Sequence, residues 1–358
     1  MAACGGIVDS GVSRQVGRER QGGIPVPDQD LIAGLARSVE DVVGSLIDPG
    51  ARVALLDFPM YANVGDSAIW IGARRLLRRL GARLVYVADI ESFSHAALVR
   101  RLGRGTILLN GGGNFGDLWP PHQRFRESVI EAFPRHRIIQ FPQTLQFRRR
   151  ETLARAKSVF GRHPDFILLA RDEPSLEFAR REFDARTLLC PDLAHAIGAL
   201  RRPGRPVVDL VALCRSDSEA SGTFPDLPDA VSQCVDWVTE PGGLEGSTLR
   251  AARRLGARAN AVGVLSRLML HPYDLLARQR LARGCRLLSR GRVVLTDRLH
   301  GHILSLLLRV PHVLWNDRYG KVRSFYQTWT TRSSLTFWAD SPEEARALAL
   351  AAVHARGG

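Results

Sequence analysis

Apolar residues recur at helical spacing over residues 28–47, where Leu31, Ile32, Leu35, Val39, Val42, Val43 and Leu46 share a face. Short apolar runs then alternate with amphipathic stretches. Residues 52–58, 83–87, 106–110, 137–141 and 166–170 predict strands, and 66–80 predicts the helix after the first of them. Strands that are apolar throughout, with helices between them, predict a parallel sheet covered on both faces.

The pattern changes between 191 and 206. Arg-Arg-Pro-Gly-Arg-Pro at 201–206 reads as a linker, and a second alternating series begins at 207–213. Residues 216–246, rich in Asp, Pro, Ser and Gly, read mostly as a long loop. Helical pattern returns over 249–257 and 275–288. A strand at 293–296, a helix at 300–308 and a strand at 312–315 follow. The last helix, 342–354, is introduced by Ser341 as N-cap with Glu344 three residues on. No internal repeat of 20–50 residues is present. The expected organisation is a loosely held segment 1–28, one α/β domain over 29–200, a second over 201–340, and a C-terminal helix within 341–358. The two domains are expected to face each other across a cleft.

The length of 358 residues supports two such domains, and 45% apolar with 24% charged residues is ordinary for a globular chain. Apolar stretches such as 303–308 fall far short of the roughly 20 residues that cross a bilayer. The first 28 residues hold no apolar core of a secretory signal, which makes the cytoplasm the default compartment. Cys4, Cys190, Cys214, Cys234 and Cys285 are scattered, odd in number and without a CxxC pair, so neither a disulfide framework nor a zinc knuckle is expected. The net charge of +14 comes from 48 arginines and two lysines, Lys157 and Lys321. The arginines are dispersed rather than clustered with aromatics, so no nucleic-acid partner is expected. The charge favours anionic substrates, and peripheral contact with an anionic membrane surface is an expectation of the same kind.

Five segments carry candidate chemistry. Asn63-Val64-Gly65-Asp66 follows a strand and opens a helix, with Asp66 where an N-cap would sit; it reads as a structural corner or as a ligand site at the carboxyl end of a strand. Asn110 to Asp117 (NGGGNFGD) sets three glycines, 111–113, after another strand, where exposed amides could cradle an anion or form a strained turn. It is neither a P-loop nor a dinucleotide fingerprint. Arg171 ends a strand and could present its fork to a carboxylate or phosphate, or pair at the surface with Asp172 or Glu173.

The fourth segment is the densest. Thr296 to His302 (TDRLHGH) brings Arg298 and two histidines to a helix N-terminus, a ready anion site with an acid/base beside it. The fifth, Asn316 to Lys321, gathers polar and aromatic groups where a sugar could stack. His95, His122, His136 and His163 are read as structural. No metal is expected, since no carboxylate or histidine set stands at ligand spacing.

Together NVGD at 63–66, NGGGNFGD at 110–117, RDEPS at 171–175, PDLAHA at 191–196, DRLHGHILSLLL at 297–308 and NDRYGKVRSFYQTW at 316–329 resemble the polysaccharide pyruvyl transferase family. The resemblance runs in order over about residues 50–330. It implies two Rossmann-like domains with parallel sheets in a GT-B-like arrangement, the acceptor on the N-terminal side and the donor on the C-terminal side. It implies transfer of a pyruvyl group from phosphoenolpyruvate to two hydroxyls of one sugar as a cyclic ketal, with phosphate released and no cofactor required. Acceptors in the family include sugars of capsules, exopolysaccharides, cell-wall polymers and lipid-linked intermediates.

By the same resemblance Arg171, Arg298 and His300 contact the donor, with Leu299, Gly301 and His302 beside them, and His300 is the acid/base. Asn63, Gly65, Asp66, Gly112, Gly113, Asn114, Asn316 and Lys321 are expected on the acceptor side or in the cleft. Two rival readings are a GT-B-type glycosyltransferase with a nucleotide-sugar donor and a non-catalytic basic binding protein.

Overall fold

A computed structural model describes residues 26–217, 219–220, 227, 232–238, 242–262 and 266–355. The expected loose segment at the N-terminus lies, but for its last residues, outside the described residues. Strands are β1 (Arg52–Leu56), β2 (Arg83–Ala88), β3 (Thr106–Leu109), β4 (Gly112–Gly116), β5 (Ile138–Gln146), β6 (Phe166–Ala170), β7 (Arg186–Leu189), β8 (Val208–Leu213), β9 (Ser232–Val235), β10 (Gly291–Thr296), β11 (His312–Leu314) and β12 (Thr336–Trp338). Helices are α1 (Asp28–Gly44), α2 (Val64–Arg79), α3 (His95–Leu102), α4 (Pro120–Ala132), α5 (Arg150–Gly161), α6 (Glu173–Glu182), α7 (Gly243–Val262), α8 (Ser266–Ser289), α9 (Leu299–Leu307), α10 (Lys321–Phe325) and α11 (Pro342–His354).

The strands form two sheets. The first has the order β2-β1-β3-β5-β6-β7 with β4 added to β5; the second runs β12-β11-β10-β8-β9, and the pairings in both are parallel. Strands such as Phe166–Ala170 are buried along their whole length, which is why they read as unbroken apolar runs rather than alternating ones. The two α/β series expected from the pattern are therefore present. One apolar cluster is continuous between them, from Val53 and Leu55 of β1 through Trp70 of α2 to Leu276 of α8 and Val294 of β10.

Several local expectations are corrected. The glycine-rich stretch after β3 is not merely a turn: Gly112–Gly116 forms β4 against β5, and Gly112 (φ 136°) and Gly116 (φ 116°) take backbone that L side chains rarely adopt. The expected loop at 216–246 contains β9 and the start of α7. The expected linker at 201–206 is pinned, with Arg202 Nη2 donating to the carbonyls of Ser289 (3.0 Å) and Gly291 (2.5 Å). The N-cap of α2 is Asn63, whose Oδ1 accepts from Gly65 N (2.9 Å), and not Asp66. Ser341 caps α11 as expected, accepting from Glu344 N.

α8 belongs to the second series in sequence yet packs on α2 of the first. Asp274 accepts from Trp70 Nε1 (2.9 Å) and from Arg74 Nε (3.1 Å), and Phe58 stacks on Tyr273 at 4.1 Å. The two series are thus tied by largely buried polar as well as apolar contacts.

Candidate functional site

Parallel strands deliver their following loops to one end, and here the carboxyl ends of both sheets open on one cavity of about 420 Å³, ordinary for a small-molecule site. The loop after β1 brings Tyr61, Asn63 and Asp66; that after β3 brings Gly113 and Asn114; β6 leads into Arg171. From the second sheet, β8 leads to Arg215, Asp217 and Glu219, β10 to Arg298, Leu299 and His300, and β11 to Asp317 and Lys321.

Arg171 is not a surface residue. It is 2% exposed; its Nη1 donates to Asp192 Oδ2 (3.0 Å) and its Nε to Thr144 Oγ1 (2.8 Å). Asp172, one of its candidate surface partners, instead caps α6 by accepting from Ser175 N. Asp192 is completely buried, and His300 Nε2 stands 3.4 Å from the same Oδ2. Burial pushes the Asp192 carboxyl up, but His300 and then Arg171 outweigh it and hold it well below the usual carboxylate range. One buried carboxylate thus joins an arginine after the first sheet to a histidine after the second. The ring of His300 also lies on Gly65: a Cβ there would come within 2.4 Å of His300 Nδ1. Only glycine lets the first turn of α2 meet that ring.

Arg298, 3% exposed, donates from Nη2 to Asp236 Oδ2 (2.6 Å) and Asp217 Oδ2 (3.3 Å), while its buried Nε has no hydrogen-bond partner. Arg215 pairs with Asp217 (2.8 Å) and Glu219 (2.9 Å). Lys321 Nζ donates to Glu219 Oε1 (3.0 Å) and to the carbonyl of Gly113 (3.2 Å), so it too bridges the two sides. Burial pushes the Lys321 ammonium down, partly opposed by Glu219. Burial pushes the Asp297 carboxyl, just behind this wall, up to about 7. The N-termini of α2 and α9 both open on the cavity and add positive potential to it.

Of the residues expected in the site, Asn63, Asp66, Gly113, Asn114, Arg171, Arg298, Leu299, His300 and Lys321 line the cavity. Gly65 touches it through His300, and Gly112 packs on Asp66. Gly301 stands behind the wall, where a Cβ would strike Thr296 Oγ1 at 2.5 Å. Asn316 accepts from Arg323 N and lies outside the lining.

His302 also lies outside the lining, fully buried, with Nδ1 2.7 Å from His312 Nε2 and Nε2 2.9 Å from Thr330 Oγ1. His312 Nδ1 faces the carbonyl of Val310 (2.8 Å) and must donate to it, so its Nε2 accepts from His302 and His302 in turn accepts from Thr330. Burial pushes the His312 imidazole down to about 4 and holds His302 well below its ordinary value. The pair is neutral, and it fastens α9 to β11.

Asp192, Glu219 and His122 are among the residues that sequence reasoning missed. Asp192 was visible in PDLAHA but carried no sign of its partners. Glu219 lay in a segment read as loop. His122, read as structural, lines the cavity with Nδ1 2.8 Å from Asp57 Oδ1, and Asp57 itself holds a positive φ of 66° at the end of β1. No periodicity marks such a pair. Among the described residues no group of three His, Cys, Asp or Glu side chains could hold a metal ion, and no helix is long and apolar enough to cross a membrane.

Comparison with known proteins bears on the fold and on the family. A solved structure of a protein of uncharacterised function from Klebsiella pneumoniae superposes with a TM-score of 0.55 at 17% identity, covering 86% of this chain and 99% of that one, a likeness of fold. Pyruvyl transferase 1 of Schizosaccharomyces pombe is 31% identical over 324 residues, covering 84% of this chain and 75% of that protein. The Bacillus subtilis protein EpsO is 29% identical over 293 residues, covering 79% and 87%. A profile described as polysaccharide pyruvyl transferase matches residues 63–315, from the cap of α2 to the residue after β11, a span that holds most of the cavity wall. The chain is a member of the polysaccharide pyruvyl transferase family.

Proposed function

We propose that the chain transfers the pyruvyl group of phosphoenolpyruvate to two hydroxyls of one acceptor sugar, forming a cyclic ketal and releasing phosphate. The observation that carries this reading is the shared carboxylate: Arg171 and His300 meet on Asp192 Oδ2 in a cavity also lined by Arg298 and Lys321. The family's acceptors extend to lipid-linked sugars, so contact with an anionic membrane belongs to the same proposal. We take the two sheets as two Rossmann-like domains in a GT-B-like arrangement, divided near residue 200.

The donor carries a carboxylate and a phosphate, and the wall offers guanidinium groups for both. Arg298 Nε, buried and unbonded, is an unmet donor in that wall. Transfer needs a proton at the methylene carbon, so that C2 becomes electrophilic. His300, beside the Asp192 carboxylate, supplies it. The first sugar hydroxyl then adds to C2 and gives up its proton. The C2–O bond to phosphate breaks, the electron pair leaving with phosphate, and the second hydroxyl closes the ketal. One hydroxyl proton repays the one placed on the methyl group; the other leaves with phosphate. His122, oriented by Asp57, is the base on the first sheet's side for an acceptor hydroxyl. Tyr61 and Trp119, both partly exposed in the lining, offer faces on which a sugar can stack.

The test is the thermal midpoint with and without phosphoenolpyruvate, for the intact chain and for Arg298→Ala. Donor at a hundred times its dissociation constant adds about 2.7 kcal/mol, a clear rise. The rise should vanish in Arg298→Ala. Stabilisation by a nucleoside diphosphate sugar instead would make the chain a glycosyltransferase, and absence of stabilisation by either, with no turnover, would leave it a binding protein.

A further inference from the structure

A second depression lies between α2 and α8, about 530 Å³ in volume, and no step proposed above uses it. Its floor is apolar, with Ile71 and Leu281 buried, and Arg75, Arg78 and Arg278 stand exposed around it. The one carboxylate in the lining, Asp274, is engaged by Arg74 and Trp70. Arg75 Nη1 donates to the carbonyl of Ile197 (2.7 Å) and Arg78 Nε to that of Arg74 (3.2 Å). Among the described residues none of the three exposed arginines forms a salt bridge. Burial and then the charges of Arg78, Arg79 and Arg278 push the Arg75 guanidinium down, as expected of like charges held together without a counter-ion. Leu275, 49% exposed, stands one turn before Arg278 on α8.

We propose that this groove is a second anion site, taking the phosphate of an amphipathic ligand at a lipid surface, with the three arginines on the phosphate and the apolar floor under the chain that carries it. A phosphate oxygen would supply the counter-charge the arginines lack, and Arg is the side chain best shaped to grip it. The site stands apart from the reading of the cavity. It is nevertheless built on the same helix, since Asn63 caps α2 in the cavity while Arg75 and Arg78 lie about 20 Å further along it at 1.5 Å per residue.

The experiment compares the intact chain with Arg75→Gln/Arg78→Gln/Arg278→Gln and with a control of equal charge, Arg180→Gln/Arg290→Gln/Arg346→Gln, whose three positions are exposed elsewhere. Each is mixed with vesicles of phosphatidylcholine alone, with vesicles of equimolar phosphatidylcholine and phosphatidylglycerol, and with inorganic pyrophosphate. The expected result is binding to the anionic vesicles only, weakened on the order of a hundredfold in the groove triple and far less in the control. Equal loss in the two triples, or no loss in either, overturns the site and leaves a diffuse field. Groove-dependent stabilisation by pyrophosphate without groove-dependent vesicle binding overturns the lipid source in favour of a free phosphate. The groove triple removes mutual repulsion, so its thermal midpoint should not fall. Should it fail to fold, Arg278→Gln alone reads the same effect at about fivefold.

Discussion

The two walls of the cavity are held by different forces. On the first sheet's side Arg126, 1% exposed, donates to Gln140 (2.6 Å), Gln123 (2.7 Å) and Asn114 (3.0 Å), and Gln143 Nε2 donates to Asn114 Oδ1 (2.9 Å). The acceptors are neutral amides; Asn114 lies in the glycine-rich stretch, and Gln123 and Gln140 hold that stretch through Gly116 N and the Asn110 carbonyl. On the second sheet's side Arg215 and Arg298 face Asp217, Glu219 and Asp236. A buried amide network cannot give up a bond without orphaning a polar group, so it fixes shape. An ion pair can exchange one anion for another and keep its charge balance. On the proposed function, the amide part of the first wall would select a neutral acceptor by fit, while the ionic second wall, with Arg171 opposite, would capture an anionic donor.

The largest effect is expected where the walls meet. His300→Ala should lower turnover by about 10²–10⁴-fold, the usual contribution of a positioned acid or base, and should lower the thermal midpoint too, because the buried Asp192 carboxylate keeps only Arg171 opposite it. Ketal formation from phosphoenolpyruvate, followed by phosphate release, measures it. An unchanged rate would remove His300 from the chemistry and leave Asp192 as a structural partner of Arg171 alone.

Next in size is a pH effect behind the ionic wall. The Asp297 carboxyl, raised to about 7, accepts from Arg215 N (2.9 Å). Its folded pKa lies above the unfolded value of about 3.9, so the folded state holds an extra proton between these pH values. That contribution is full below about pH 4 and is lost as pH rises to about 7, on the order of 4 kcal/mol in all. The buried histidines run the other way. His195 and His312, both pushed down to about 4 by burial, cost stability as pH falls from 6.5 towards 4. In Asp297→Asn the acidic group is gone, so the variant should gain on the intact chain steadily from pH 4 to 7 and then run parallel to it. Urea unfolding across that range reads the difference, and a constant offset would mean that Asp297 is ionised throughout.

The amide wall should answer to stability alone. Arg126→Met leaves amide oxygens short of donors and removes the guanidinium over the Phe115 ring, 4.4 Å from its centroid. The expected cost is about 3 kcal/mol, seen as a fall in the urea midpoint with no change in salt dependence. A loss under about 1 kcal/mol would show that the amides re-pair and that this wall is as exchangeable as the other.

How much of this the sequence revealed follows from the same division. The strands were legible because parallel strands buried on both faces leave unbroken apolar runs, as in Phe166–Ala170. The arginines and His300 were legible because chemistry-bearing residues follow strand ends. What periodicity cannot carry is pairing over long separations: Asp192 with Arg171 and His300, Asp57 with His122, Gly65 under His300. His302 shows the converse, since it shares a motif with His300 yet faces away, a step of two helical positions deciding between cavity and core. The strand at Gly112–Gly116 escaped because glycine is depleted in strands, and only its ladder with β5 makes it one.

The smallest effect tests whether the ionic wall is exchangeable at all. Asp236 Oδ2 accepts from Arg298 Nη2 (2.6 Å) and from Ser216 N (3.0 Å) and Oγ (2.6 Å), and its Oδ1 accepts from Trp237 N (2.6 Å). In Asp236→Asn the amide keeps one oxygen for these donors and loses the charge, while Arg298 retains Asp217 at 3.3 Å. Stability should therefore drop by only about 1 kcal/mol. If Asp236 occupies Arg298 in competition with the donor, removing its charge should tighten phosphoenolpyruvate binding, by about tenfold for each 1.4 kcal/mol of competition relieved. If Asp236 instead aims Arg298 at the donor, binding weakens, and the wall is a positioning device like its neighbour. Donor titration of the variant, read beside its urea midpoint, separates the two, because exchange alone predicts a less stable protein that holds its donor more tightly.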